Sequence, residues 1–406
     1  MHKVLMVVYS WPPRGGVGML RTLKFAQYLE RYGWQPTILT PRDAPSQIRC
    51  DEEDAGIEGV RVIKSGYRNS IIHIPDRQAG WYRPAMEIAG GFVSEERFDI
   101  IFSSSPPETS HLIARALKRK FGIPWVADMR DPWADYHHIR HRNPFMYALN
   151  KQLEKRTLAD ADHIVTVSET WGRVLRNGYG QRVSTITNGF DEEDMNKAPS
   201  GLLQNGKFNI TYAGKLHAGT QNPDIFFRAL QSLIHDGRLR KDELAVNFYT
   251  FGAHQPDYRS IGQRMGLGGA LHVLPPVTQS DILGIMKNSD LLLLFDWSGD
   301  DEISRGVIPV KAFEYIAARR PILLLSSKER SDLKAIISKT RNGRISSTIE
   351  GAKRVIMEAY ESKKLGHVPG AGFDDDTGQY SRLNLTGCLA RIFDTLQVRH
   401  RQEIVR

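Results

Sequence analysis

Four groups of residues have the types and spacing to do chemistry. Lys311 and Glu314 stand three apart in VIPVKAFEYIAARRPILLL, so on a helix they share one face. Lys215 directly follows Gly214 in AGKLHAGT. A lysine just after a strand-terminal glycine and beside a helix start neutralises a diphosphate, because free N–H groups and an ammonium both favour anions there. Asp128, Arg130, Asp131 and Asp135 crowd into DMRDPWAD. A pairing of Arg130 with Asp131 is the structural reading of that run; meeting a substrate group or relaying a proton is the functional one. Arg14, Gly15 and Gly16 lie in SWPPRGGVG, where glycines let the main chain approach something closely.

Each group needs a strand that ends just before it. An apolar run at 4–9 precedes the glycine loop. Leu20, Leu23, Phe25, Ala26 and Leu29 then mark a helix over 19–32 that stops at Gly33, with a strand at 35–40. A second unit follows: strand 99–103, loop 104–108, helix 109–121 and strand 125–128, which delivers the carboxylates. Strands at 163–167 and 183–186 flank a helix at 169–177 and close the first half at Asn188-Gly189. Strand 208–212 opens the second half before Lys215, with a helix from Pro223. Further strand ends at Phe251-Gly252 and Pro275-Pro276 are places for a base. Strand 291–295, a helix over 311–318 and strand 322–325 make the crossover that carries Lys311 and Glu314. Arg319 and Arg320 suit a helix end, and Pro321 forbids the helix from continuing. Parallel crossovers put all these loops at the carboxyl edge of a sheet, where open α/β sheets bind ligands.

A chain of 406 residues exceeds one ordinary core and suits two domains. The polar stretch 192–205 reads as the linker, giving domains at 1–195 and 196–377 and a C-terminal helical segment at 378–406. An excess of 55 Lys and Arg over 46 Asp and Glu, net +9, favours an acidic ligand or an anionic surface. It is too diffuse for nucleic acid, and no RNA-binding aromatic signature or zinc-finger spacing accompanies it. Cys50 and Cys388 have no metal spacing and suit a reducing cytoplasm. No apolar run approaches the roughly 18 residues that span a bilayer. GVGMLR places Arg21 where a dinucleotide fingerprint needs a third small residue, and Thr40-Pro41-Arg42 lacks the ribose-binding acid, which argues against NAD.

Several segments resemble the retaining GT-B glycosyltransferases of the large group called family 4. They are PxKxFEYxAxxxP at 309–321, a PPxxGG-like loop one residue short, ADxIxxVS at 161–168 and NGFD at 188–191. The run SSPP…HLIA…GIPWVADMRDPW resembles a bacterial subgroup of that family. The resemblance implies an α/β fold of two Rossmann-like domains whose parallel sheets face across a cleft, with the last helix packing back toward the first domain. It implies a nucleotide-sugar co-substrate, with no cofactor and no bound metal. Glu314 is then the ribose contact and Lys215 the diphosphate contact, with Gly15, Gly16, Gly214, Val307 and Lys311 also on the donor. Asp131 orients the acceptor or relays its proton, beside Arg14 and Arg130. Asp131, Lys215 and Glu314 are the catalytic candidates.

The implied reaction is transfer of a sugar, with retention, to a glycan or lipid-linked acceptor in bacterial surface polysaccharide synthesis. The implied location is the cytoplasm, peripheral on the inner face of the membrane. An anionic membrane surface is a further partner, through the basic helix over 143–158. Its stripe Phe145, Met146, Leu149 and Leu153 reads first as core packing and second as a membrane face. The acidic loop 296–302 reads as a solvated lid rather than a metal site. Two positions depart from the family pattern. Gly306 replaces a second Glu that grips the donor sugar, and Thr220-Gln221 stands where a second basic residue is expected. A nucleotide-sugar epimerase or hydrolase on the same fold, and a non-catalytic sugar-nucleotide-binding partner of a polysaccharide assembly complex, are the alternatives.

Overall fold

The apolar runs become strands buried on both faces: LLLLF and ILLL have no exposed residue. A computed structural model of the chain describes residues 1–15, 17–42, 57, 59–70, 73–135, 143–217, 219–250, 258–341, 343–366 and 376–405. It divides into two units, Met1–Asn188 with Arg382–Arg406, and Gly189–Ser381.

The first unit holds a seven-stranded sheet of β1 (His2–Val7), β2 (Trp34–Pro41), β3 (Arg61–Ser65), β4 (Ile100–Ser105), β5 (Trp125–Met129), β6 (His163–Thr166) and β7 (Val183–Thr185), in the order β3-β2-β1-β4-β5-β6-β7. All of its pairings are parallel, with Val4 opposite Ile100 and Ile101 opposite Trp125. The chain winds outward in opposite directions from β1 and β4, so the loops after these two strands diverge.

The second unit holds six parallel strands: β8 (Phe208–Ala213), β9 (Leu244–Tyr249), β10 (Leu271–Leu274), β11 (Leu291–Phe295), β12 (Ile322–Leu325) and β13 (Gly343–Ser346). Their order is β10-β9-β8-β11-β12-β13. Here the reversal lies between β8 and β11. Side chains cap several of the helices that cover the two sheets. Asn143 accepts from the N–H groups of Phe145 and Met146, and Ser168, Thr278, Ser331 and Thr348 each cap the helix that follows.

The two-domain α/β architecture agrees with the sequence pattern, but several local expectations need correction. The polar stretch after Asn188 is not a plain linker. Asp191 caps a helix at Glu192–Lys197, and Met195 buries into the second unit's core, so the units part at Asn188 rather than near residue 195. The last helix spans Arg382–Val405. Leu385, Leu389, Phe393 and Leu396 complete a core with β1 and β4, and Trp34 Nε1 donates to Asp394 at 2.9 Å.

In the helix Pro144–Leu158 the expected apolar stripe packs inward only at Leu153. The buried residues of the helix are Asn150, Glu154, Thr157 and Leu158, whereas Phe145 is 73% exposed and Leu149 36%. The polar side turns inward because the loop after β5 needs partners. Glu154 accepts from the Ala134 N–H at 2.9 Å, and Asn150 accepts from Trp133 Nε1 at 3.2 Å. Asp135 accepts from Tyr147 and Lys151 at 2.9 and 2.7 Å. Arg140 and Arg142 lie outside the described residues.

In the first unit, the Arg21 guanidinium grips Asp128 with Nη2 at 2.9 Å and Nε at 3.1 and 3.3 Å, both side chains fully buried. Arg21 also donates to the Ile186 and Thr187 carbonyls at 2.9 and 2.7 Å, and Ser104 donates to Asp128 at 2.8 Å. Removing either member leaves a buried charge alone. Arg21→Met or Asp128→Leu is expected to cost about 3–5 kcal/mol. The double substitution should cost less than the sum of the two, by on the order of 1–3 kcal/mol. Urea unfolding followed by tryptophan fluorescence measures this, since six of the seven tryptophans lie in this unit.

Candidate functional site

The carboxyl edge of the second sheet gathers the residues suited to an anionic ligand. β8 ends at Ala213, whose N–H donates to Tyr315 Oη at 2.9 Å. Gly214 follows at φ +113°, a conformation that side chains rarely adopt, and its N–H reaches the Tyr249 carbonyl at 2.8 Å. A methyl group on Gly214 would stand 2.9 Å from Lys311 Nζ and 3.2 Å from its Cε. The glycine therefore serves two purposes: it makes the turn and admits the lysine.

Lys311 begins the short helix Lys311–Ala317. Its Nζ donates to Tyr212 Oη at 2.6 Å and lies 3.9 Å from the centroid of the Tyr212 ring. Tyr212 in turn donates to the Lys215 carbonyl at 2.9 Å. One chain of donors thus runs from the helix through a buried phenol to the main chain of the lysine loop. Burial holds the Tyr212 phenol well above its ordinary pKa, so it stays a donor. The Lys215 side chain is exposed. Glu314, one turn along the helix from Lys311, is half-buried and accepts from Gln279 Nε2 at 2.8 Å. Val307 sits half-buried in the turn before the helix, with its N–H toward the Ser304 carbonyl at 3.4 Å. The edge thus brings Gly214, Lys215, Lys311 and Glu314 together.

The neighbouring loop after β11 is solvated along most of its length: Ser298, Asp300, Asp301 and Glu302 are exposed, and Asp296 at its start is buried. Asp296 lies 3.5 Å from Lys328 Nζ, and it accepts from Ser326 and Ser331 at 2.7 and 2.8 Å. Asp301 caps the helix Glu302–Arg305 through the N–H groups of Ile303 and Ser304, and Asp300 pairs with Arg305 at 3.0 Å. Asp301 therefore holds main chain, Asp296 holds buried side chains, and Asp300 pairs with Arg305 at the surface. Gly306 closes that short helix at φ −84°. Gln221, in the place of a second basic residue, stitches the two loops together. Its Oε1 accepts from the His217 N–H at 3.1 Å, and its Nε2 donates to the Phe295 carbonyl at 2.8 Å.

The first sheet's edge is built differently. Arg14 is buried and spends its guanidinium on the ends of β1 and β2. It donates to the Tyr9 carbonyl at 3.2 Å, to Arg42 O at 2.8 Å, to Thr40 Oγ1 at 2.9 Å and to Pro41 O. Gly15 follows it half-buried, and Gly16 lies outside the described residues, as does the Phe251-Gly252 strand end.

Arg130 does not form the anticipated pair with Asp131. It donates from Nε to the Ser105 carbonyl at 2.7 Å and from Nη2 to Pro106 O at 2.8 Å. Its Nη1 lies so close to Gly18 that a methyl group there would fall 1.8 Å away. Asp131 stands half-buried beside it; burial raises the carboxyl pKa while the Arg130 charge opposes that rise. Two further acids lie at this edge. Asp76 accepts from the Thr109 N–H and hydroxyl at 2.7 and 2.8 Å, and burial, then the Asp76 charge, push the carboxyl of buried Glu108 well above its ordinary pKa.

Sequence reading did not single out Tyr212, Asp76 or Glu108, and it took Arg21 only as a break in a dinucleotide fingerprint. Arg21 carried a signal, since a charged residue in the middle of an apolar helix face needs a buried partner. Tyr212 carried none, because a tyrosine in a strand reads as core.

Residues 15–189 match the model of the glycosyl transferase 4-like domain. Solved structures resemble the chain over nearly its whole length. Sucrose-phosphate synthase from Thermosynechococcus elongatus is 10% identical, with a TM-score of 0.64, over 98% of this chain and 99% of that one. WaaG, a glycosyltransferase involved in lipopolysaccharide biosynthesis, is 13% identical, with a TM-score of 0.59, over 96% and 99%. The catalytic domain of starch synthase IV from Arabidopsis thaliana, bound to ADP and acarbose, is 13% identical, with a TM-score of 0.58, over 98% and 99%. By sequence no curated protein matches. At these identities the structural likeness concerns the fold.

Gly214→Ala tests the second edge. It should lower the melting temperature by a few degrees, through on the order of 1–3 kcal/mol of backbone strain and the displaced Lys311. Gly237→Ala, also at positive φ but with open space around it, should cost less.

Proposed function

The chain has the GT-B glycosyltransferase fold and carries a glycosyl transferase 4-like domain at residues 15–189, and from that premise we propose that it moves a sugar from a nucleotide-sugar donor to a glycan or lipid-linked acceptor. The observation that carries the donor assignment is the edge where Gly214, Lys215, Lys311 and Glu314 meet. The donor's diphosphate lies on the Gly214–Lys215 loop and its ribose on Glu314. As the bond from the anomeric carbon to the diphosphate breaks, negative charge grows on the leaving group. A positive charge fixed there stabilises the transition state more than the ground state. The acceptor hydroxyl forms the new bond and loses its proton, and Asp131 orients that hydroxyl or takes the proton. The transfer retains configuration and runs without a bound metal. Surface polysaccharide is the product class.

Calorimetric titration with UDP, GDP, ADP and NAD tests the donor site. One nucleoside diphosphate should bind, and Lys215→Ala should weaken it at least about tenfold, or 1.4 kcal/mol. Binding of NAD alone would sink the reading. Turnover of a nucleotide-sugar with no acceptor present would favour an epimerase or hydrolase instead.

The lipid-linked acceptor and the location on an anionic membrane face draw support from the helix Pro144–Leu158. Its exposed residues Phe145, Ala148, Leu149, Gln152, Lys155 and Arg156 form one stripe, apolar at one end and basic at the other. No helix among the described residues is long and apolar enough to cross a membrane. The protein should co-sediment with vesicles rich in anionic lipid, and Phe145→Ser with Leu149→Ser should reduce the bound fraction several-fold. Equal sedimentation of wild type and variant would remove this helix from the reading.

A further inference from the structure

Lys311 occupies an unusual place for an ammonium. The residue is half-buried, and its Nζ lies against the Tyr212 ring and hydroxyl, 2.9 Å from where a Cβ on Gly214 would stand. Among the described residues no carboxylate forms an ion pair with it. The charged and titratable groups that face it are few. From its own helix come Glu314, one turn away and already hydrogen-bonded to Gln279, and Tyr315, whose hydroxyl accepts the Ala213 N–H. From β8 comes Tyr212, a neutral phenol, and from the following loop comes Lys215, which adds positive charge rather than compensating for it. The protein therefore seats a half-buried amine against a neutral phenol and, among the described residues, pairs it with no carboxylate. The open side of this arrangement is the Gly214 turn, where the Proposed function seats a diphosphate.

We propose that binding of the donor's diphosphate at the Gly214–Lys215 loop is coupled to uptake of a proton from solvent at Lys311 Nζ. The inference rests on that donor-site reading. In the free protein, burial lowers the Lys311 pKa to about 7, with Glu314 opposing the shift, so near neutral pH a large share of the molecules hold a neutral amine. A diphosphate brings the missing anion and favours the ammonium. The charged form then strengthens two existing contacts, the donation to Tyr212 and the seat over its ring. Through the Tyr212 bond to the Lys215 carbonyl, the same event steadies the loop that carries Lys215.

The sign and size of the proton count follow from linkage. Well below pH 7 Lys311 is already charged and no proton is taken up; near pH 7 about half a proton enters per nucleotide; above pH 8 the count approaches one. Affinity should accordingly fall as pH rises above 7.

The test is calorimetric titration of UDP, GDP and ADP in buffers of different ionisation enthalpy, on wild type, Lys311→Arg and Lys311→Met. The guanidinium of Lys311→Arg is always charged, so its binding should take up about half a proton less than wild type near pH 7. The two proteins should agree by about pH 5.5. Titration of the nucleotide's own phosphate is common to both and cancels. Lys311→Met keeps the stem without the charge, and should bind more weakly with the same reduced proton count. Should a nucleotide bind all three proteins with equal proton counts, the coupling is wrong while the donor site stands. Should none of the nucleotides bind wild type, the donor site falls and the coupling with it.

Discussion

A buried carboxylate at the end of a central strand is the constraint around which each unit is arranged. Asp128 lies in β5, and Asp296 directly follows β11. Neither can hold its charge in an apolar sheet without a cation and hydrogen-bond donors, since desolvation alone costs several kcal/mol. Each unit meets the need in the same way. Asp128 receives Arg21 and Ser104; Asp296 receives Lys328, Ser326 and Ser331. The donors come from elements far apart in sequence, so satisfying one carboxylate fixes several loop ends at once. Arg21 carries this furthest, because its remaining nitrogen atoms hold the carbonyls after β7.

With those loops fixed, the groups that remain outward-facing are the ones suited to a ligand. At the second edge Asp296, Asp300 and Asp301 are engaged with Lys328, Arg305 and a helix start, Lys215 is exposed, and among the described residues no carboxylate pairs with Lys311. At the first edge Arg14 and Arg21 are occupied with main chain and with Asp128, while Asp131 stays half-buried beside Arg130. The net charge of +9 is thus less informative than its distribution. A positive group matters to a ligand only where no protein acid or carbonyl has already claimed it.

Much of this was legible in the residues. Apolar runs such as LLLLF gave the strands, glycine after a strand gave the turns, and PxKxFEYxA gave the helix that carries Lys311 and Glu314. The parts that misled did so for one reason. The Phe145–Leu149 stripe read as core because periodicity describes a segment's own preferences. What a segment faces is decided by the needs of its neighbours. The loop after β5 required hydrogen-bond partners, so Asn150 and Glu154 of the Pro144–Leu158 helix turned inward and Phe145 and Leu149 turned out, while Leu153 and Leu158 stayed against the core.

The sequence alone determined the parallel α/β class, the two-unit length and the placement of Lys215, Lys311 and Glu314 at strand ends, because these follow from short-range periodicity and turn chemistry. Only the tertiary structure decided the strand order, and with it which loops diverge at β1/β4 and at β8/β11. It also decided which charges are spent. The partners of Asp128, Asp296 and Lys311 lie from 24 to 107 residues away in the chain. Burial and pairing at such separations depend on packing, which no local pattern encodes.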